Sequence, residues 1–223
     1  MVSRVSLSEK ENQNIMMHSD TRSRIILEAR MQFFTYGFSK VTINEIIGEL
    51  GISKKTIYKY FPSKKALLYA AIESNFREIE DKLTELENDK SLDPIDKVIN
   101  ALQYLTSMLS TVKQPYMKDI MKSAPEAWDL ISDYRKKRIF PVFEKFLLEC
   151  YRRKAIRDEI NGDLLIMIFL NFAQYILNPQ ILSEIPMSMQ EIFESIYTIL
   201  FEGILTDNAR RKFKKKQLFK RDT

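Results

Sequence analysis

Apolar residues recur every three or four positions along most of the chain, the spacing that places side chains on one face of an α-helix. After Thr21, the residues Ile25, Ala29 and Phe33 follow one another at intervals of four. A longer series follows Ser63, with apolar residues at Leu68, Ile72, Phe76, Ile79, Leu83 and Leu86. No stretch alternates polar and apolar residues as a half-buried strand does. The pattern therefore predicts an all-α protein.

Prolines and capping residues divide this pattern into separate helices. Thr42 and Ser53 are suited to cap two short helices, and Gly51 lies where the turn between them is needed. Pro62 ends the second short helix, because the residue before a proline avoids the helical region. Asp93 precedes a proline and is suited to begin a further helix. The later helices are predicted at 94–111, 115–122, 125–153, 163–177 and 188–205.

Composition agrees with a globular, helical chain. Of the 223 residues, 45% are hydrophobic and 29% are charged, and only five are glycine. The most apolar run, residues 164–177, is interrupted by Asn171 and Gln174 and is too short to span a bilayer. The first twenty residues lack the apolar core of a signal peptide, and the single Cys150 fits a reducing compartment. We expect a cytoplasmic protein with no membrane partner.

Charge is distributed unevenly along the chain. Residues 1–65 contain 11 Lys or Arg and 6 Asp or Glu, whereas residues 66–207 contain 16 and 23. Residues 208–223 contain 8 basic residues and 1 acidic residue. A basic terminal module suits a polyanion such as DNA, and ordinary solvated surface charge explains such an imbalance equally well. Combined with the periodicity, the charges predict a flexible arm at 1–19, a DNA-binding domain at 20–66, a helical body at 67–207 and a basic tail at 208–223.

Residues 42–61 have the layout of a helix-turn-helix, with two short helices joined at Gly51. The second helix buries Ile57 and Phe61 and exposes basic, hydroxyl and phenol groups, which are the groups that contact phosphates and base edges. Such a helix enters the major groove of double-stranded DNA. The sequence therefore predicts an N-terminal three-helix DNA-binding domain.

The stretch from residue 25 to residue 67 resembles the N-terminal domain of the tetracycline-repressor (TetR) family of bacterial regulators. The matching residues are Ile25, Ala29, Phe33, Gly37, Thr42, Ile46, Gly51, Ser53, Thr56, Tyr58, Phe61, Ser63, Lys64 and Leu67. The later helices match that family in number, length and order. Lys55 stands where a glycine is frequent in the family, which adds charge at the groove.

The resemblance implies roles for individual residues. Thr42, Tyr58 and Lys64 would contact phosphates, and Asn44 would reach a base edge. The complete set of expected DNA contacts is Thr42, Asn44, Ser53, Lys54, Lys55, Thr56, Tyr58, Lys59 and Lys64. The resemblance also implies a repressor that binds a palindromic operator.

Operator binding of this kind requires a two-fold homodimer, because one motif reads only a few base pairs. Apolar stripes on the last two predicted helices suit a four-helix bundle between two subunits, and they suit an internal core as well. The expected interface residues are Phe172, Tyr175, Ile192, Ile196, Ile199 and Gly203.

Aromatic and methionine side chains in the middle helices suit an adaptable apolar cavity for a small apolar or aromatic effector, and they suit an ordinary core equally well. The expected pocket residues are Tyr104, Met108, Met117, Met121, Trp128 and Phe169. In the resembling family, a ligand here changes the separation of the two recognition helices and releases the operator.

Two other classes of function were weighed against a DNA-binding regulator. An enzyme is disfavoured because the chain has one His and one Cys, which form neither a metal cluster nor a Cys–His pair, and no Gly-rich phosphate loop. We therefore expect no metal and no cofactor. The other alternative is a helix-turn-helix that serves as a protein-interaction module, or an activator without a small-molecule ligand.

Overall fold

In a computed structural model of the chain, the structure describes residues 9–176 and 203–215, together with residues 187, 191, 192, 195, 198 and 199. Within this part of the chain the architecture is all-α. The helices are α1 (Glu9–Tyr36), α2 (Ile43–Leu50), α3 (Lys54–Tyr60), α4 (Lys64–Asn88), α5 (Pro94–Ser110), α6 (Gln114–Ser123), α7 (Pro125–Tyr134), α8 (Phe140–Arg152), α9 (Gly162–Ile176) and α10 (Asp207–Lys215). None of the described helices is both long and apolar enough to cross a membrane.

The first helix is longer than the apolar pattern predicts. It begins at Glu9, so most of the segment expected as a flexible arm, residues 1–19, is helical in the structure. The added residues include Glu, Lys, Gln and Met, which favour helix through their intrinsic propensity. Propensity leaves no apolar stripe in a sequence, and for this reason the periodicity begins only at Thr21.

A single hydrophobic cluster joins the helix-turn-helix to the body. Ile25 and Phe33 of α1, Ile46 of α2, Ile57 of α3 and Leu67 of α4 are all at most 1% exposed. The first helix packs against α4 and also against α6 in the body. The same cluster continues through α5 and α8. The N-terminal helices are therefore built against the body and share its core.

A π-helical turn, Arg135–Ile139, separates α7 from α8. The sequence predicted one unbroken helix over 125–153. Pro141 has no N–H to donate within the helix, and its ring crowds the carbonyl of Lys137. The helix widens by one residue at this point, and the N–H of Phe140 donates to the carbonyl of Arg135. The wide turn places Arg135 in the interior, where it is 8% exposed.

The C-terminal end also differs from the predicted basic tail at 208–223. Residues 207–215 form α10, and Ala209 on this helix is buried. The segment before α10 pairs with the loop after α8 through an isolated bridge between Ile156 and Leu205. This anchor comes from a distant part of the chain, so the charge run gave no sign of it. Most of the helix predicted at 188–205 lies outside the described residues.

Candidate DNA-binding surface and internal cavity

Helix α2 begins with a complete capping box. The Thr42 hydroxyl accepts the N–H of Glu45 at 3.2 Å, and the Glu45 carboxylate accepts the N–H of Thr42 at 2.6 Å. The Thr42 N–H lowers the pKa of Glu45, as does the Thr42 hydroxyl, which donates to the same carboxylate at 2.9 Å. The helix ends at Gly51, whose φ of 63° is the left-handed conformation that glycine adopts without strain. The turn into α3 is thus specified at both of its ends by local chemistry.

Helix α3 is held in place by its buried side. Ser53 caps it, accepting the N–H of Thr56 at 3.1 Å. Ile57 and the following Phe61 are buried against the shared core. Because these anchors occupy one face of a short helix, the opposite face is left to solvent.

The exposed face of α3 carries four of the nine expected DNA contacts. Lys54, Lys55, Tyr58 and Lys59 are exposed, and Tyr58 has 43% of its surface accessible. Residues 53–65 contain five lysines and no acidic residue. The surface is therefore strongly positive and also offers a phenol hydroxyl, which matches a DNA backbone and groove.

The remaining expected contacts are distributed around α3. Thr42 and Asn44 are exposed at the start of α2. The hydroxyls of Ser53 and Thr56 lie 2.8 Å apart and are engaged with each other at the start of α3. In the present structure these two hydroxyls support the helix start.

Lys64, at the start of α4, folds back onto its own chain. Its ammonium donates to the Ser39 carbonyl at 3.4 Å and lies 4.5 Å from the centre of the Phe38 ring. Burial lowers the pKa of Lys64 below its ordinary value, and the nearby carboxylates of Asp119 and Glu45 offset this decrease only in part. A phosphate contact by this side chain requires it to leave these partners.

The loop after α1 is tied to α6 by a hydrogen-bond cluster that the sequence did not indicate. The Asp119 carboxylate accepts the backbone N–H of Ser39 at 2.5 Å and also its hydroxyl. Ser123 donates to the same carboxylate at 2.6 Å. A second link joins Lys65 of α4 to Glu126 of α7 at 3.1 Å. Helix α6 therefore contacts the DNA-binding domain directly.

A cavity of about 140 Å³ lies inside the body. Of the expected pocket residues, Met108, Trp128 and Phe169 line it. Tyr104 and Met121 do not, because the Tyr104 hydroxyl donates to the Glu78 carbonyl at 3.2 Å and Met121 is exposed. The side chain of Met117 lies outside what the structure describes. The other lining residues include Phe34, Ile72, Phe76, Ile79, Leu102, Leu109, Ile131, Phe140 and Phe143.

Three polar side chains in the cavity wall, those of Asn75, Tyr116 and Arg135, were missed by the sequence reasoning. Arg135 lies with its guanidinium carbon 4.8 Å from the centre of the Trp128 ring. Burial lowers the pKa of Arg135 to about 10, so the side chain stays charged at neutral pH. Tyr116 is 3% exposed, and its hydroxyl has no hydrogen-bond partner among the described residues. Neither Arg135 nor Tyr116 belongs to a sequence motif. The sequence gives no sign of their proximity, since only the fold brings them to one cavity.

The expected dimer residues are only partly on the surface. Tyr175 and Ile199 are exposed, at 61% and 73%, and Gly203 is exposed as well. Ile192 is 4% exposed and packs inside its own chain, so the expectation for this residue is wrong. Ile196 and the side chain of Phe172 lie outside the described residues.

Helix α9 presents an exposed apolar face. Leu164, Met167 and Ile168 are each about half exposed, while Leu165, Ile166 and Phe169 are buried. With Tyr175, these exposed apolar residues lie on one face of α9, which also carries the exposed Asn171. The sequence periodicity alone did not distinguish this outer stripe from the inner one, since both faces of α9 are apolar.

Comparison with known proteins agrees with this arrangement. A family model described as bacterial regulatory proteins, tetR family, matches residues 25–71, which cover the end of α1, both short helices and the start of α4. An uncharacterised helix-turn-helix-type transcriptional regulator of Bacillus subtilis, YvaF, is 28% identical over 184 residues. That alignment covers 82% of this chain and 95% of the relative.

Solved structures show the same fold. The regulatory protein TetR from Rhodobacter sphaeroides has a TM-score of 0.62 and 15% identity, over 82% of this chain and 98% of that one. A transcriptional regulator from Saccharomonospora viridis in complex with choline has a TM-score of 0.61 and 23% identity, over 84% and 99%. At these identities the likeness concerns the fold alone.

Proposed function

Because this chain is a DNA-binding transcriptional regulator of the TetR family, we propose that it binds a palindromic operator as a homodimer and represses transcription until a small molecule occupies its cavity. The observation that carries the proposal is the exposed face of α3, with Lys54, Lys55, Tyr58 and Lys59 on one side of a helix anchored by Ile57. In this proposal the boundary between the DNA-binding domain and the helical body lies between residues 66 and 67, near the start of α4.

Selection of bound DNA from a random pool tests operator binding. We expect a palindrome whose half-sites lie about one helical turn apart. Tyr58→Ala should weaken binding to all sequences, since a phosphate contact carries no base information. Lys55→Ala should change the preferred DNA sequence, because in our proposal the Lys55 side chain faces the DNA groove. If the DNA bound at a modest salt concentration shows no enriched sequence, this would contradict operator recognition.

We assign the dimer contact to the exposed stripe of α9. Four large apolar side chains on one helix face, Leu164, Met167, Ile168 and Tyr175, are the kind of surface that a partner subunit covers. Ile168→Glu should therefore yield a monomer in light scattering after size-exclusion chromatography. Leu130→Glu, a change at another exposed leucine, is the matched control and should leave the dimer intact.

Helix α6 is suited to carry a signal from the cavity to the DNA-binding domain. Tyr116 lines the cavity and its ring lies 4.8 Å from that of Phe34 in α1. One turn further along α6, Asp119 holds the backbone of Ser39 just before α2. A ligand that displaces Tyr116 would move both contacts together, because they lie on the same rigid helix.

The coupling is tested by Asp119→Ala, which removes the link and leaves the cavity and α3 unchanged. Operator affinity without effector should stay within about threefold, and the loss of affinity caused by effector should shrink. Lys122→Ala, at an exposed residue of the same helix, serves as the control. An undiminished effector response in Asp119→Ala would reject this route.

The mode of regulation is tested with a reporter gene under the recovered palindrome. A repressor should give higher expression when the regulator is deleted, whereas an activator should give lower expression. If the chain is instead a protein-interaction module, neither Tyr58→Ala nor a change in the palindrome should alter expression of the reporter.

The choline bound by the Saccharomonospora viridis regulator is a cation, and a cation is disfavoured in a cavity whose wall carries Arg135.

A further inference from the structure

The internal cavity combines an apolar wall with one buried positive charge. Arg135 is the single charged residue among those described as lining the cavity, and it is 8% exposed. Its neighbours on the cavity wall include Ile131, Ile139 and Phe143. Attraction between opposite charges is stronger in such apolar surroundings than in water, so an anionic group in the cavity would be favoured beside Arg135.

The Arg135 guanidinium lies beside the ring of Trp128 in the cavity wall. The guanidinium carbon lies 4.8 Å from the centre of the Trp128 ring. This is a cation–π contact, and the guanidinium carries five N–H donors that lie in its plane. This planar arrangement of donors matches the two oxygens of a carboxylate.

Tyr116 supplies a further polar group to the cavity wall. The Tyr116 hydroxyl is buried and has no hydrogen-bond partner among the described residues. Burial and the neighbouring Asp119 raise its pKa, so the hydroxyl keeps its proton and acts as a donor. Buried hydroxyls without partners are uncommon in native proteins, and a bound ligand oxygen is one way to satisfy such a group.

The size of the cavity limits the ligand. An apolar cavity of about 150 Å³ accommodates one benzene molecule, and the cavity here measures about 140 Å³. The wall contributes aromatic rings from Phe34, Phe76 and Phe143. A single ring or a chain of about six carbons therefore fits, together with a small polar head.

We propose that the cavity binds a small apolar carboxylate, with the acid group at Arg135, an oxygen accepting from Tyr116 and the hydrocarbon part against the aromatic wall. This assignment deepens the proposed function, on which it rests for the link between ligand and operator. The acid charge is the discriminating feature, because the apolar wall would accept a neutral ring as readily as an acid.

The experiment uses the only tryptophan of the chain as its reporter, since Trp128 lines the cavity beside Arg135. Trp fluorescence of the full-length protein is titrated with benzoate, phenylacetate and hexanoate, and with the amide of each acid. Benzylamine is the cationic probe. At least one acid should bind at least tenfold more tightly than its amide, and benzylamine should bind most weakly.

Variants assign the effect to particular groups. Arg135→Met should reduce affinity for the acid at least tenfold while leaving the amide within about threefold. Arg138→Met, a change at an exposed arginine of the same π-helical turn, is the matched control and should leave both unchanged. Tyr116→Phe removes only the hydroxyl and should weaken acid binding about threefold. This variant and the comparison of acid with amide in the unaltered protein keep the test decisive if Arg135→Met does not fold.

Two results would overturn the proposal: equal affinity for acids and amides, or no change of fluorescence with any of the three acids. Operator binding is measured in the same samples, so that the two proposals fail separately. Tight acid binding with unchanged operator affinity would retain the carboxylate site and remove its role as effector site. Operator binding without acid binding would retain the proposed operator recognition and reject the carboxylate site.

Discussion

In the helix-turn-helix, the hydroxyls of Thr42, Ser53 and Ser63 each accept a backbone N–H at the start of a helix, whereas in the body the hydroxyls of Thr106 and Tyr116 are buried without a hydrogen-bond partner among the described residues. In the helix-turn-helix, these hydroxyls cap the helices and fix where each one begins. The body keeps polar groups in its interior at a cost in stability.

The difference follows from what each region contacts. DNA is met at the surface, so the reading helix needs an exposed face and a rigid position, and both come from local caps and a packed core. In our proposal a small ligand binds in the interior, so the body needs unfilled volume and polar groups that hydrogen-bond to the ligand. The two regions should therefore respond in opposite ways to matched substitutions.

The largest contrast is expected for two isoleucines. Ile46 is fully buried in the packed core of α2, whereas Ile139 is buried but borders the cavity. Ile46→Ala should lower the free energy of unfolding by about 4 kcal/mol, and Ile139→Ala by about 2 kcal/mol, because a side chain beside a void has fewer contacts to lose. Urea unfolding followed by circular dichroism measures both values. Equal losses would mean that the body is packed as tightly as the helix-turn-helix.

A smaller contrast is expected for two threonines changed to valine, which has nearly the same shape. Thr42→Val removes the cap of α2 and should cost about 1 kcal/mol. Thr106→Val removes a buried hydroxyl that has no partner among the described residues, so stability should be unchanged or rise slightly. Thermal unfolding at neutral pH gives the two shifts. A destabilised Thr106→Val protein would show that this hydroxyl does have a stabilising partner.

The smallest effect concerns the junction between the two regions. Burial raises the pKa of Asp119, but hydrogen bonds from Ser123 and Ser39 outweigh it, and the pKa lies below its ordinary value. A lowered pKa stabilises the fold above the unfolded value of about 3.9 and loses this contribution as the pH falls through the folded value. Asp119→Asn should therefore reduce the melting temperature slightly at pH 7 and progressively less below about pH 4.

A matched control for the junction is Asp129→Asn, a change at an exposed aspartate of α7. It should leave the melting temperature unchanged across the same pH range. If the difference between the unaltered protein and Asp119→Asn stays constant down to pH 3, the carboxylate at Asp119 does not provide the contribution we assign to it.

Much of the helix-turn-helix was predictable from the sequence because its determinants are close together along the chain. Thr42 caps a helix three residues before its partner Glu45, and Gly51 sits in the turn that requires it. In the body, the prediction of helices at 94–111 and 163–177 was confirmed to within one or two residues. The wide turn before Pro141 was missed, since a proline inside a helical pattern has several structural outcomes.

The site residues of the body were predicted less well. Met108, Trp128 and Phe169 line the cavity as expected, while Tyr104 and Met121 lie outside it. Aromatic and methionine side chains mark apolar surroundings in general, and they carry no signal that separates a cavity from a filled core.

By itself, the sequence determined the all-α class, the two short helices, their caps and the basic, exposed character of α3. These follow from interactions within a few residues, where helical period, proline, glycine and hydroxyl side chains act directly on the backbone. Only the tertiary structure decided which apolar face of α9 is exposed, that Asp119 meets Ser39, and that Arg135 and Tyr116 share one cavity. Such relations depend on how rigid helices pack across the chain, and packing selects among faces that look alike in the sequence.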